Sequence, residues 1–272
     1  MQSFRPANSP SLPKFLYTYH VQIERVIFLG SGDAFSAEGR HQAGCIVETS
    51  SGSLLLDCGA STVISLQKLK IPASPIDAIL ISHFHGDHIA GLPFLFLHYL
   101  YIEPRVKPLE IIGPPGVESR VKQIFSAMYA DTAAAPLPFD IVYLETEDKK
   151  QIAMDGKLDG LSIEPFRVPH QENPPSFGFD IRSEEQKLVY TGDTGWTEDL
   201  LMRSHNADLF ICECSFFDTR LDTHMDYLRI KEHAQAFGAK RMVLTHLGSE
   251  VLNRKSEIDI DLAHDGLIVN LQ

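Results

Sequence analysis

The chain has 272 residues, 44% hydrophobic and 22% charged, which is ordinary globular composition and enough chain to bury a sizeable core. Lys plus Arg number 24 against 36 Asp plus Glu, a formal charge of −12. That is the wrong balance for gripping a long polyanion, because phosphate contacts dominate such affinity.

Residues 1–20 read as a polar N-terminal segment, with six Ser or Pro and Arg5 ahead of any apolar stretch, which is not the pattern of a secretory signal. Residues 21–272 are expected to form a single domain. IERVIFLG at 23–30 predicts a strand running into the glycine-rich turn SGDAF. CIVET at 45–49 and SLLLDCG at 53–59 flank a Ser-Gly turn and predict a hairpin. Helical spacing over 61–70 precedes a strand at 77–82.

After the histidine-rich segment at 83–88 comes an apolar helical stretch to about residue 100, then a strand at 108–112. The longest apolar run, LPFLFLHYLYI at 92–102, is too short to cross a membrane, and its aromatics read as core. GPPG at 113–116 leads into an amphipathic helix with Val117, Val121, Ile124, Phe125 and Met128 on one face. Alanines 133–135 with Pro136 and Pro138 mark a loop. Strands at 139–144, 151–155, 161–168, 177–182 and 187–191 are expected to follow as a meander. A short helix near 197–203, a strand at 207–212, a helix at 226–237, and strands at 241–245 and 267–271 complete the pattern. EDKK at 147–150 and RSEEQK at 182–187 read as polar turns.

Such a series suits an α+β fold: a four-layer αββα sandwich with two mixed sheets face to face and helices outside. Periodicity by itself also admits a doubly wound sheet. Cys45, Cys58, Cys212 and Cys214 sit in apolar segments without CxxC spacing, so buried free thiols and a cytoplasmic location are expected.

HFHGDH at 83–88 places three histidines and an aspartate directly after a buried strand, with Gly86 allowing the sharp turn. His83 and His85 can converge on one ion, and Asp87 and His88 can point to a second. His170 follows IEPFRVP, Asp193 follows LVYTG and His246 follows RMVLT, so all would gather on one rim of the sheets. The stoichiometry closes with His83, His85 and His170 on one ion, Asp87, His88 and His246 on the other, and Asp193 bridging. Imidazole and carboxylate suit two divalent ions, Zn2+ first, with Mn2+ or Fe2+ as alternatives. A water shared between two such ions has its pKa lowered toward neutrality and can supply hydroxide to a phosphoryl or carbonyl centre. Twelve histidines could cluster by chance, but four separate positions after strands fit one site. Of the others, His98 and His233 read as surface or cap residues, and His41 is placed to approach a substrate.

These residues resemble the metallo-β-lactamase superfamily, whose hallmark is HxHxDH with later His, Asp and His ligands, and within it the ribonuclease Z-like branch. The resemblance runs through FLGSGDAF, LLLDCG, LISHFHGDH, IIGPPG, PHQENPPSFGFDI, VYTGDT, ADLFICECSF, VLTHL and the closing DG at 265–266. It implies the same seven ligands. It also implies a Glu–His pair on Glu213 and His224 that assists the catalytic step, with Asp87 as ligand and orienter of the attacking hydroxide. Two features depart from the branch. Ribonuclease Z carries a long arm that clasps tRNA, in many members between the SFGYRI-like strand and the TGDT turn, where this chain has little beyond RSEEQK. HMD also follows the paired histidine, where a small residue and Thr or Ser are usual.

The expected activity is therefore a dinuclear phosphodiesterase acting on a small anionic substrate, a phosphodiester or cyclic phosphate. Ribonuclease Z-type tRNA 3′ processing and lactone or thioester hydrolysis are the alternatives within the fold, and a non-catalytic metal-binding domain is the rival outside it. RNA is disfavoured by charge and the missing arm, no membrane partner is expected, and a homodimer is an open expectation.

Overall fold

The computed structural model describes residues 21–271; the expected N-terminal segment 1–20 lies outside them. The first sheet is built from β1 (Ile23–Gly30), β2 (Gly44–Thr49), β3 (Ser53–Leu56), β4 (Ile76–Leu80), β5 (Leu109–Gly113) and β6 (Ile141–Glu145) in spatial sequence, with the last strand of the chain, Ile268–Asn270, beside β1. Helices α1 (Thr62–Leu69), α2 (Gly86–Ile89), α3 (Leu92–Tyr101), α4 (Val117–Met128) and α5 (Ala130–Ala133) belong to this half.

The second sheet takes β7 (Ile152–Ala153), β8 (Ser162–Glu172), β9 (Pro175–Arg182), β10 (Lys187–Tyr190), β11 (Leu209–Glu213), β12 (Met242–Thr245) and β13 (Asp261–Leu262) in order. Its helices are α6 (Asp199–Ser204), α7 (Tyr227–Glu232), α8 (Ala234–Phe237) and α9 (Ser249–Asn253); Ile268–Asn270 is β14.

Strand periodicity explains the layers. In β1, Val26 and Phe28 face the second sheet while Ile27 and Leu29 face the helices. In β11, Leu209 and Ile211 enter the core between the sheets, and Phe210 and Cys212 pack under the outer helices. Both faces of each sheet are thus buried. Leu66, Leu95, Phe96, Val121 and Phe125 cover the first sheet, and Leu200, Ile230, Phe237 and Val251 cover the second. This is the expected αββα sandwich. No helix among the described residues is long and apolar enough to cross a membrane. All four cysteines are free and buried, and burial pushes the Cys58 thiol up to about 12.

Several expectations change in detail. The strand expected at 139–144 does not open the meander; β6 pairs parallel with β5 in the first sheet, and only β7 to β10 run antiparallel in succession. The expected helix over 226–237 breaks into α7 and α8 at His233, whose φ of −105° and ψ of 7° interrupt the spiral. His98 is not a surface residue. It is 6% exposed on the core face of α3, with Nε2 3.0 Å from Glu103 and Nδ1 3.5 Å from Gln67.

Two backbone hydrogen bonds clamp the metal-type loop to the end of β3. Cys58 N–H donates to His88 O at 2.7 Å, and Gly91 N–H donates to Cys58 O at 2.8 Å. Gly59 makes this approach feasible, since a Cβ there would lie 2.0 Å from the Asp87 carbonyl oxygen. Gly59→Ala is expected to destabilise the protein by about 1–3 kcal/mol through overpacking and to lower metal content together with stability. Denaturant unfolding and elemental analysis read both; an unchanged midpoint with full metal content would refute the clamp.

Candidate metal centre

The seven candidate ligands come from four places along the chain and meet on one rim. His83, His85, Asp87 and His88 leave β4, Asp193 leaves β10 and His246 leaves β12, all at C-terminal strand ends. His170 differs from expectation: it lies inside β8, within the register shift between Val168 and Glu172 that turns it inward. His246 holds a left-handed φ of 55°, an unfavourable conformation for a non-glycine residue.

Two clusters of ligand atoms result, His83, His85, His170 and Asp193 in one and Asp87, His88, Asp193 and His246 in the other. Asp193 divides between them. Its Oδ1 is 3.2 Å from His88 Nε2 and 3.4 Å from His246 Nε2, while Oδ2 is 3.7 Å from His83 Nε2 and 3.9 Å from His170 Nε2. Asp87 Oδ2 closes the second cluster at 3.1 Å from His88 Nε2 and 3.3 Å from His246 Nε2.

Each histidine is fixed from behind by a group that sets its tautomer. His88 Nδ1 donates to Asp57 Oδ2 at 2.8 Å. Ser82 Oγ donates to Asp57 Oδ2 at 2.8 Å, so it accepts from His83 Nδ1 at 3.0 Å. His170 Nδ1 donates to the Thr223 carbonyl at 2.8 Å. Ser215 Oγ donates to Glu213 Oε2 at 2.8 Å and accepts from His246 Nδ1 at 2.9 Å. His85 Nε2 meets the Gln171 side-chain amide at 2.8 Å. With that amide turned so that its buried, unpartnered Oε1 accepts from His85 Nε2–H, the last ring is fixed too.

Cations fit this arrangement. With the rear nitrogens carrying the protons, His83 Nε2, His85 Nδ1 and His170 Nε2 present lone pairs to one point, at separations of only 3.0 and 3.1 Å. His88 Nε2 and Asp193 Oδ1 are buried without a hydrogen-bond partner. Lone pairs converging without donors are what divalent ions satisfy.

The electrostatics agree. Burial works against ionising Asp87 and Asp193, but hydrogen bonds and charge from His246 and His88 hold both carboxyls well below the usual range. Burial, with His88 nearby, pushes His83 well below its ordinary value; burial, with His170, lowers His85. For His88 and His246 burial opposes the charged ring, yet Asp193 outweighs it; His88 is raised and His246 rises to about 9. Those two rings are where a proton and a cation compete.

Glu213 and His224 stand beside the second cluster. Glu213, the last residue of β11 and 1% exposed, accepts from Thr194 N–H at 2.9 Å and Ser215 N–H at 3.1 Å as well as from Ser215 Oγ. Its Oε1 accepts from His224 Nδ1 at 2.8 Å. Burial lowers the His224 pKa, but the hydrogen bond and charge of Glu213 prevail and raise it. The His224 ring stacks on His246, 9° from parallel at 5.8 Å. His41 is placed elsewhere, its ring bonded to Ser65 and its backbone N–H donating to Asp265, outside the lining of the cleft.

A cavity of about 420 Å³ opens over the ligands, walled by Asp33, Phe35, Phe216, Ser249 and Glu250 together with His224. No lysine or arginine lines it among the described residues. Sequence reading missed Asp57, Ser82, Gln171, Ser215 and Thr223, the groups behind the rings. Asp57 and Ser82 did stand inside matched segments, LLLDCG and LISHFHGDH, but nothing local marked their roles.

The chain is similar to known proteins over most of its length. A family model for the anti-Pycsar protein Apyc1 matches residues 24–266. The chain is 26% identical to ribonuclease Z of Agathobacter rectalis over 278 residues, covering 84% of this chain and 88% of that protein. It is 25% identical to ribonuclease Z of Methanothermobacter thermautotrophicus over 280 residues, covering 88% and 90%. Among solved structures it resembles the metallo-β-lactamase fold protein YhfI from Bacillus subtilis, with TM-score 0.73, 22% identity and coverage of 92% and 99%. It also resembles human tRNase Z, short form, with TM-score 0.74, 26% identity and coverage of 91% and 99%. The fold is that of the metallo-β-lactamase superfamily, close to its ribonuclease Z branch, and the paired clusters make the protein a metal-dependent hydrolase.

Asp193→Ala is expected to abolish both metal binding and hydrolysis, because it takes an oxygen from each cluster. Asp57→Ala touches no ligand atom, yet should weaken metal affinity about 10–100-fold by freeing the His88 ring. Competition with a calibrated chelator measures both; native affinity in Asp57→Ala would disprove the orienting role.

Proposed function

The chain belongs to the anti-Pycsar protein Apyc1 family, and from that membership and the dinuclear site we propose that it hydrolyses phosphodiesters, with a small phosphodiester or cyclic phosphate as substrate. One observation carries the small-substrate reading. β9 and β10 are joined by a tight turn in which Ser183 N–H donates to Gln186 O at 3.0 Å, so no tRNA-clasping arm leaves the sheet there. The cleft lining favours the same reading. With acidic Asp33 and Glu250 and no lysine or arginine, it offers a polynucleotide backbone little counter-charge beyond the centre itself. Its volume suits a compact ligand.

A ribonuclease Z-type endonuclease is the second reading, favoured by curated relatives of that name that match across more than four fifths of this chain. Those names weigh more for the endonuclease than any comparison weighs for the small substrate. The turn and the cleft lining weigh the other way.

In either case the residues have defined tasks. His83, His85, His170, Asp87, His88, His246 and bridging Asp193 would hold two divalent cations. Zn2+ is the proposed ion, and Mn2+ or Fe2+ suits the same donors. When bound, the pair supplies Lewis acidity and an activated water. Asp87, which lines the cleft, would be a ligand and orient the nucleophile. Glu213 accepts the Nδ1 proton of His224 and holds that ring in one orientation, leaving Nε2 as its other donor. The hydrogen bond and charge of Glu213 favour the protonated ring, which would offset charge on the phosphoryl oxygens or protonate the departing alkoxide.

Metal content of natively purified protein, followed by turnover on cyclic nucleotides, cyclic phosphates, a pre-tRNA with a 3′ trailer and a lactone panel, tests the assignment. Metal-dependent cleavage of the small diesters is expected; cleavage of pre-tRNA alone would establish the endonuclease instead. His224→Ala should lower kcat by about 10²–10⁴-fold while both metal sites stay filled. Wild-type kcat in that variant would remove His224 from the reaction.

A further inference from the structure

Phe35 is 90% exposed, the most exposed of the large hydrophobic side chains among the described residues, and it sits at the mouth of the metal cleft. It is not on a frayed loop. Asp33 Oδ1 accepts from the backbone N–H of both Phe35 and Ala37, each at 3.1 Å, and Ser36 N–H donates to Asp33 O at 3.1 Å. Asp33 N–H in turn donates to Leu247 O, next to the candidate ligand His246. Ala37 is buried in the core under the second sheet. Flanking Ser36 and Glu38 take left-handed φ values of 56° and 54°, conformations that non-glycine residues hold only when the surroundings impose them. The loop is thus built stiffly around a side chain that makes no use of it in the fold. A second aromatic, half-buried Phe216, lines the same cleft, 6.2 Å from the His224 ring.

We propose that Phe35 is the platform on which the base of a nucleoside phosphodiester stacks, which makes it a specificity-determining residue of this site; the inference rests on the phosphodiester reading above. No lysine or arginine lines the cleft among the described residues to recognise further phosphates, so recognition beyond the reacting diester falls to apolar and aromatic surface. A purine or pyrimidine face is the complement of an exposed phenyl ring, and every base offers one. Stacking contributes alike to bound substrate and transition state, so it acts on KM.

The test compares substrates that share a reacting diester and differ in the base: whichever nucleoside cyclic phosphate the wild type turns over, and glycerol 1,2-cyclic phosphate. Phe35→Ala should raise KM for the base-bearing substrate roughly 5- to 150-fold, with kcat, metal content and all constants for the glycerol diester unchanged. Phe35→Tyr should restore the wild-type KM, since it keeps the ring. Being exposed, Phe35 can be replaced without loss of the fold, and metal content verifies this. If the wild type hydrolyses no base-bearing diester, including pre-tRNA, the inference falls; if it hydrolyses no diester at all, the phosphodiester reading falls with it. If diesters are cleaved but Phe35→Ala leaves the KM of the base-bearing substrate unchanged, or raises both KM values equally, the stacking role alone is overturned. Altered sedimentation with unchanged KM would overturn it as well, by showing that the ring seats another copy of the chain.

Discussion

The Asp57 carboxylate is the constraint on which the site and the joining of the sheets depend. It is completely buried, at a left-handed φ of 58°, immediately past the end of β3. It accepts from Ser82 N–H at 2.7 Å and Ser82 Oγ at 2.8 Å beyond β4, from His88 Nδ1 at 2.8 Å in the ligand loop, and from Tyr190 Oη at 2.7 Å at the end of β10. Tyr190 belongs to the opposite sheet. A buried carboxylate is tolerable only when fully hydrogen-bonded, so each of these donors has to be in place. Their positions then dictate the exits of β3 and β4, the gap between the sheets, and the tautomers of His88 and, through Ser82, of His83.

Glu213 plays the corresponding part in the second sheet. It too is buried at a strand end, and its oxygens hold the Thr194 and Ser215 backbone amides, the Ser215 hydroxyl and the His224 ring. Through Ser215 it sets His246 as well. Two buried acids, one per sheet, therefore preset four of the site's histidines before any ion binds. Such preorganisation spares the cost of ordering the rings when metal or substrate arrives. The left-handed backbone at Asp57 and His246 marks where the fold gives up local comfort to achieve it.

Around this core the surface chemistry separates two kinds of substrate that the centre itself treats alike. A dinuclear site stabilises any reacting phosphodiester. What lies beyond it decides how much more of the substrate is held. Here the β9–β10 turn is short, the cleft is acidic at Asp33 and Glu250, and the contact surface on offer is aromatic. Under the proposed function, that combination would make recognition rest on shape and stacking more than on backbone charge.

Much of this protein was legible in its sequence because the relevant patterns are local. Continuous apolar runs in β1 and β11 announce strands buried on both faces, and HFHGDH, Asp193 and His246 closely follow strands, so their convergence could be inferred from adjacency to strand ends. What escaped was set by contacts between distant segments. Placing β6 in the first sheet required its pairing with β5, and turning His170 inward required the shift within β8. Burial of His98 depended on Glu103 and Gln67 meeting it across α3 and α1. The sequence by itself determined the candidate ligand set and the layered fold, since both follow from residue type and spacing along the chain. Only the tertiary structure decided which proton each ring carries, through Asp57, Ser82, Thr223 and Ser215, because a hydrogen bond between residues far apart in sequence leaves no periodic trace.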